Sequence, residues 1–214
     1  MPVLSEMERI HYVTRAAPWL PSIVACIVGA AVVAIQQGGA AAPLEAVGIL
    51  LASGAGFALD DTSAEILAAS PTPLLRRRIA RVLVWVPATA LAWLTLVLVQ
   101  GPASPSEGRA FAAMFAGLLG LSLGIAGVAS RRSVQGRGGL VVGPAIVVLL
   151  VASTIVPPRW RPLPLGDVPG AWTPIYLRWS GAAVVGILTF LWSSRDRAGR
   201  SVSQAISRTR LGDR

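Results

Sequence analysis

The stretch GFALDDTSAEILAASPTPLLRRR, residues Gly56–Arg78, separates two apolar segments and ends in three consecutive arginines. Its residues 62–65, TSAE, match the S/T-x-x-E capping box, in which the Thr and Glu side chains each bind the other's backbone amide. The following SPTP at residues 70–73 ends the pattern, because a residue before proline avoids the helical conformation. The stretch therefore predicts one short helix over about residues 62–70.

The predicted short helix must contact another surface, since a helix of this length is not stable alone in water. Ile66 and Leu67 offer a small apolar patch for that contact. Asp60 and Asp61 precede the helix and place negative charge near its positive end. The receiving surface is either the rest of the chain with its surrounding lipid, or a separate protein.

The composition of the chain is that of a membrane protein. Of its 214 residues, 54% are hydrophobic and 14% are charged, whereas a soluble domain has about 25% charged residues. A transmembrane helix needs about 20 mostly apolar residues. We therefore expect an all-α integral membrane protein with a six-span domain over residues 19–192. The six predicted spans are Trp19–Gln36, Pro43–Leu59, Ile79–Val99, Phe111–Ala129, Leu140–Val156 and Leu177–Trp192.

The arginines predict the orientation of these spans. All 19 basic residues are arginines, and six spans place 15 of them on one side of the membrane and 4 on the other. Because cytoplasmic loops carry the excess of basic residues, both termini are predicted to be cytoplasmic, in a multi-pass protein of the cell membrane. Residues 62–70 and the basic tail, residues 193–214, then lie in the cytoplasm.

The longest predicted outer segment is VPPRWRPLPLGDVPGAWTPIYLRW, residues 156–179. Its prolines exclude a long regular helix, and its Trp and Tyr side chains are typical of the membrane interface. We expect this segment to fold back against the outer membrane surface as short re-entrant helices.

Four glycines share one face of the fourth predicted span, because they recur at intervals of three and four residues. They are Gly117, Gly120, Gly124 and Gly127. Small residues allow a neighbouring helix to approach closely. The stripe predicts packing within one bundle, with a subunit interface or a substrate path as the alternatives.

Several kinds of site are not favoured by the sequence. Cys26 and His11 are each alone, so we expect neither a disulfide nor a metal site. We find no paired carboxylates and no Ser/His constellation at a predicted mid-membrane position. The sequence therefore predicts no catalytic residue. A Walker A loop requires a lysine, and the chain has none. Nucleic-acid binding is not expected, because the arginines flank apolar segments.

The arrangement resembles the permease subunits of type-two ABC exporters, which have six spans and cytoplasmic termini. Three features carry the resemblance: an amphipathic segment over residues 1–18 that contains another S-x-x-E at residues 5–8, the short helix at 62–70, and the outer segment 156–179. The phrase LDDTSAEILAASPTPLLRRR also resembles a motif of bacterial ABC permease-like proteins. We expect residues 1–18 to form an interfacial helix.

The resemblance implies a separate ABC ATPase subunit that binds ATP and Mg²⁺, a second permease, identical or related, and contact with membrane lipids. The short helix would be the coupling helix that the ATPase receives. The residues expected to couple the two subunits are Asp60, Asp61, Thr62, Glu65, Ile66, Leu67 and Ser70. The alternatives are a non-transporting scaffold or regulatory subunit of a larger membrane complex and, less favoured, a membrane enzyme, a small channel or a secondary carrier.

Overall fold

A computed structural model of the protein describes residues 20–35, 41–60, 74–101, 104–132, 138–156 and 172–195. The described residues form helices and connecting turns, without a strand among them. The helices are α1 (Leu20–Ile35), α2 (Ala41–Gly56), α3 (Leu74–Gln100), α4 (Pro105–Arg132), α5 (Gly139–Ile155) and α6 (Trp172–Ser193), and a single 3₁₀ turn, Phe57–Leu59, extends α2.

The junction between α3 and α4 follows from local sequence. Gly101 has a φ of 69° and its amide donates to the carbonyl of Val97 at 2.9 Å, the left-handed helix end that glycine adopts without a steric penalty. The Oγ of Ser104 accepts from the amide of Glu107 at 3.2 Å, and Pro105 occupies the first helical position. This serine cap with a following proline is a strong signal for a helix start.

Successive helices run in opposite directions. Gly29 of α1 lies against Val47 of α2, as expected for a hairpin closed by the five residues between them. The end of α2, the start of α3, the end of α4, the start of α5 and the end of α6 then meet at one end of the bundle. We call it the arginine-rich end, because Arg78, Arg81 and Arg131 lie there.

Helix α4 lies at the centre of the bundle. In its most apolar stretch 72% of the residues are buried, compared with 22% in α3 and 28% in α6. Trp93 of α3 stacks on Phe115 of α4, with ring centroids 4.9 Å apart. The outer faces of the surrounding helices expose large apolar side chains such as Leu83, Leu98 and Val148, which suits contact with lipid rather than water.

Three of the helices are long and apolar enough to cross a membrane, over Leu75–Val99, Pro105–Arg132 and Pro174–Ser193. These three helices are compatible with a multi-pass membrane protein. The 16 residues of α1 and the 17 residues of α5 extend about 24–26 Å at 1.5 Å per residue. They are shorter than a hydrocarbon core of about 30 Å.

Several helix boundaries differ from those expected. Helix α6 begins at Trp172, so residues 172–179 of the segment predicted to fold back outside the bundle belong to α6. Helix α3 begins at Leu74, so the arginines at 76–78 lie inside a helix rather than in a loop. The predicted interfacial helix over residues 1–18, the short helix at 62–70 and residues 157–171 lie outside the described residues.

Candidate functional site at the arginine-rich end

Asp60 joins the end of α2 to the start of α5. It follows the 3₁₀ turn, is 7% exposed, and its Oδ1 accepts from the backbone amide of Gly139 at 2.7 Å. Gly139 is the first residue of α5, where amides have no partner within the helix and where the helix dipole favours a negative charge. Asp60 therefore caps a helix 79 positions further along the chain.

The two glycines before and at the start of α5 allow this approach. A Cβ atom on Gly139 would lie 2.8 Å from Oδ2 of Asp60, and a Cβ on Gly138 would lie 2.8 Å from the carbonyl carbon of Ala126 in α4. Real Cβ contacts are not this short, so neither position has room for a side chain. The glycine pair explains how the start of α5 reaches both Asp60 and α4.

Arg81 holds the same turn from the side of α3. Its side chain is 4% exposed, and its Nη1 donates to the backbone carbonyl of Asp60 at 3.0 Å. One helical turn further, Trp85 is buried against Ala58. The end of α2 is thus held by Arg81 and Trp85 in the first half of α3 and by the first residue of α5.

Arg78 joins the start of α3 to the ends of α4 and α6. Its Nη1 donates to the carbonyl of Ser193 at 3.2 Å and to the Oγ of Ser194 at 3.5 Å. Its Nη2 donates to the Oγ of Ser130, which in turn donates to the carbonyl of Gly127 at 2.9 Å. Arg78 is 7% exposed, so the guanidinium is buried among polar groups that belong to two helix ends.

A second contact between α4 and α6 lies beside Arg78. The guanidinium of Arg131 lies 5.0 Å from the ring centre of Trp192, within the range of a cation–π interaction. The same side chain donates to the carbonyl of Arg195. Arg131 of α4 and Arg78 of α3 therefore both contact the end of α6.

These contacts form what we call the polar cluster: Asp60, Arg78, Arg81, Ser130, Gly139, Ser193 and Ser194. The cluster connects the ends of five helices, α2 to α6. It also flanks residues 61–73 on both sides, since Asp60 immediately precedes this segment and Arg78 and Arg81 follow it. Asp60 and the start of α3 are therefore in direct contact with α4, α5 and the end of α6.

Of the predicted coupling residues, the structure describes Asp60. Asp60 is buried in the polar cluster, where its carboxylate faces the start of α5. Asp61, Thr62, Glu65, Ile66, Leu67 and Ser70 lie outside the described residues, and their predicted role stays a prediction. The sequence showed two adjacent aspartates at a helix end, but it did not indicate that the first of them would bind a helix distant in sequence.

The glycine stripe of α4 lies against α6. A Cβ on Gly120 would come within 2.9 Å of the carbonyl oxygen of Ala183, and one on Gly124 within 3.0 Å of that of Gly186. Added side chains at Gly117, Gly120, Gly124 and Gly127 would meet, in the same order, Trp179, Ala183, Gly186 and Ser193. The stripe therefore brings the backbones of α4 and α6 into close contact within one chain.

Glu45 is a buried acidic residue. The sequence indicated only that it lies near one end of a predicted span. It is the fifth residue of α2, is 1% exposed, and neither of its carboxyl oxygens has a hydrogen-bond partner among the described residues. An ionisable group buried at membrane depth is costly. A lone Glu in an apolar segment is the signal for it, yet only tertiary packing decides whether it faces lipid, water or the bundle.

Within the described parts of the chain, no group of three His, Cys, Asp or Glu side chains could hold a metal ion. Comparisons of the chain with protein-family models, with curated proteins and with solved structures found no match. The geometry of the arginine-rich end is therefore the basis of the functional argument.

Proposed function

We propose that the protein is the permease subunit of an ABC exporter-like transporter, driven by ATP that a separate ATPase subunit hydrolyses. The observation that supports this function is the polar cluster on both sides of residues 61–73. A segment that receives force from a partner must be attached firmly to the helices that move. Here the residues at its two ends bind the ends of three further helices, α4, α5 and α6.

In this proposal the segment 62–70 is the coupling helix, and Thr62, Glu65, Ile66, Leu67 and Ser70 contact the ATPase together with Asp61. Asp60 acts as a positioning residue, because its carboxylate is buried against Gly139 and faces away from solvent. Closure of two ATPase subunits on ATP would displace the segment. The polar cluster would pass that displacement to α4, α5 and α6, and the pathway would alternate between its two sides.

The proposal includes six membrane crossings with both termini in the cytoplasm, and a second permease, identical or related, beside the first. The six α-helices of the described residues alternate in direction, which supports six crossings with both termini on one side. Helices α1 and α5 are shorter than the hydrocarbon core by a few ångströms, a mismatch that costs only fractions of a kcal/mol per Å. Single cysteines in a Cys26→Ala background, at residues 106 and 195, would label from opposite sides of the membrane. Labelling from one side would contradict the topology.

Association with an ATPase is tested by purification in mild detergent with an affinity tag. We expect a stand-alone ABC ATPase to copurify and the complex to hydrolyse ATP. Glu65→Arg and Leu67→Asp should each weaken this association without reducing membrane insertion, and Glu107→Arg, a charge reversal at the other end of the bundle, is the matched control. Absence of an ATPase and of ATP hydrolysis would favour a scaffold or regulatory subunit instead.

Transmission through the polar cluster is tested separately from docking. Asp60→Ala removes the acceptor for Gly139 and leaves the predicted contact residues intact. We expect this variant to copurify with the ATPase at the wild-type level but to lose substrate-dependent stimulation of ATP hydrolysis. Loss of association to the same extent as in Leu67→Asp would instead assign Asp60 to the docking surface.

A further inference from the structure

A groove lies on the side of α4, between α5 and α6, and runs towards the arginine-rich end. It has a volume of about 640 Å³, within the range of about 300–1,000 Å³ that is usual for small-molecule sites. Leu121, Ile125, Val128 and Arg132 form its floor, at spacings that place them on one face of α4. Val141 of α5 forms one wall.

The lining of the groove is apolar except at one end. Gly186 and Thr189 of α6 form the second wall, and the Thr189 hydroxyl donates to the carbonyl of Val185 at 2.7 Å, so it offers little to a ligand. The cationic group is Arg132, an exposed residue at the last position of α4. No hydrogen bond or ion pair is found for Arg132 within the described part of the chain. Its neighbour Arg131 binds α6 instead.

The dimensions of the groove correspond to one leaflet of a bilayer. From Leu121 to Arg132 the floor extends over eleven residues, or about 16 Å at 1.5 Å per residue. Half of a hydrocarbon core of about 30 Å is about 15 Å. An acyl chain from one leaflet would therefore fill the groove over its length, with its headgroup at the level of Arg132.

We infer that this groove binds an anionic phospholipid, with an acyl chain along α4 between α5 and α6 and the headgroup phosphate on the guanidinium of Arg132. Charge complementarity selects an anionic lipid over a zwitterionic one, because the mouth of the groove carries a cation and no acid among its lining residues. The inference needs only that α4 crosses the membrane. It does not rest on an ATPase partner.

The test is native mass spectrometry of the full chain purified in detergent, titrated with dioleoyl phosphatidylglycerol or with dioleoyl phosphatidylcholine. We expect tighter binding of phosphatidylglycerol. Arg132→Gln should weaken it about fivefold, the factor that corresponds to about 1 kcal/mol for one basic residue near an anionic surface. Arg109→Gln, the same change at the start of α4, is the matched control and should have no effect.

Occupation of the groove is tested with side chains that fill it. Val141→Trp starts from a side chain that is 48% exposed and should lower the binding of both lipids, and Ala129→Phe fills the groove from α4 in case the first variant is misfolded. Glycerol phosphate, which carries the charge without acyl chains, should not compete. Equal effects of Arg132→Gln and Arg109→Gln, full binding to both filled variants, or competition by glycerol phosphate would each overturn the inference.

Discussion

At the arginine-rich end, Asp60 and Arg78 are buried and hydrogen-bonded to other helices, whereas Glu45, some 15 residues away along α2, is buried without a partner among the described residues. The difference follows from where free backbone groups occur. Helix ends expose amides and carbonyls that are not used within the helix, and the polar cluster uses the amide of Gly139 and the carbonyl of Ser193. Glu45 is the fifth residue of α2, and no free amide or carbonyl of a helix end is bound to its carboxyl among the described residues.

Arg78→Ala tests the arginine-rich end most severely. It removes the donor to Ser193, Ser194 and Ser130 and leaves buried acceptors without a partner, which costs roughly 3 kcal/mol or more. Thermal unfolding in detergent, followed by circular dichroism, measures the loss. Arg109→Ala, at an exposed position on the far side of the bundle, should change stability by less than about 0.5 kcal/mol. Equal effects of the two variants would contradict the buried geometry of Arg78.

Gly138→Ala tests the close approach of α5 to α4. The new methyl group would collide with the backbone of Ala126, and overpacking of this kind costs about 1–3 kcal/mol. Gly143→Ala, within α5, is the control, because a Cβ there meets nothing within 4 Å. The control should be neutral or slightly stabilising, since alanine favours the helix over glycine. A neutral Gly138→Ala would show that the two helices separate easily at this end.

Asp60→Ala should have a smaller effect on stability, about 1 kcal/mol, which is typical for loss of a helix cap. Asp60→Asn retains an acceptor for the amide of Gly139 and should retain most of the stability. Hydrogen exchange at the first turn of α5 is the local measurement, and we expect faster exchange in Asp60→Ala than in Asp60→Asn. Identical exchange in both variants would mean that the carboxylate does not cap α5.

Glu45→Gln should have the smallest effect on stability. The carboxyl has no hydrogen bond to lose among the described residues, and glutamine has almost the same volume without an ionisable group. The unfolding temperature of Glu45→Gln should therefore be unchanged or slightly raised. Glu45→Ala should lower stability, because it leaves a cavity. A loss of more than about 1 kcal/mol in Glu45→Gln would show that the carboxyl has a partner, and the two ends of the bundle would then be alike.

The sequence predicted a helix at each of the six apolar segments, because long apolar runs leave few other structures at membrane depth. The predicted helix starts were less accurate, since α3 begins at Leu74 and α6 at Trp172, each five residues before the predicted span. The serine cap at Ser104 and the proline after it would have indicated the start of α4. Thr173 and Pro174 form a similar pair in the first turn of α6. The six-span topology and the coupling role of residues 62–70 stay predictions.

The length of apolar segments is a local property, so the sequence alone determined that the protein is helical and has the composition of a membrane protein. The glycine spacing in α4 likewise marked the face on which another helix would pack. Only the tertiary structure decided that this helix is α6, that Asp60 caps α5 and that Arg78 joins α4 to α6. Those contacts connect residues 52 to 116 positions apart, and their partners are backbone groups or single hydroxyls that carry no sequence pattern of their own.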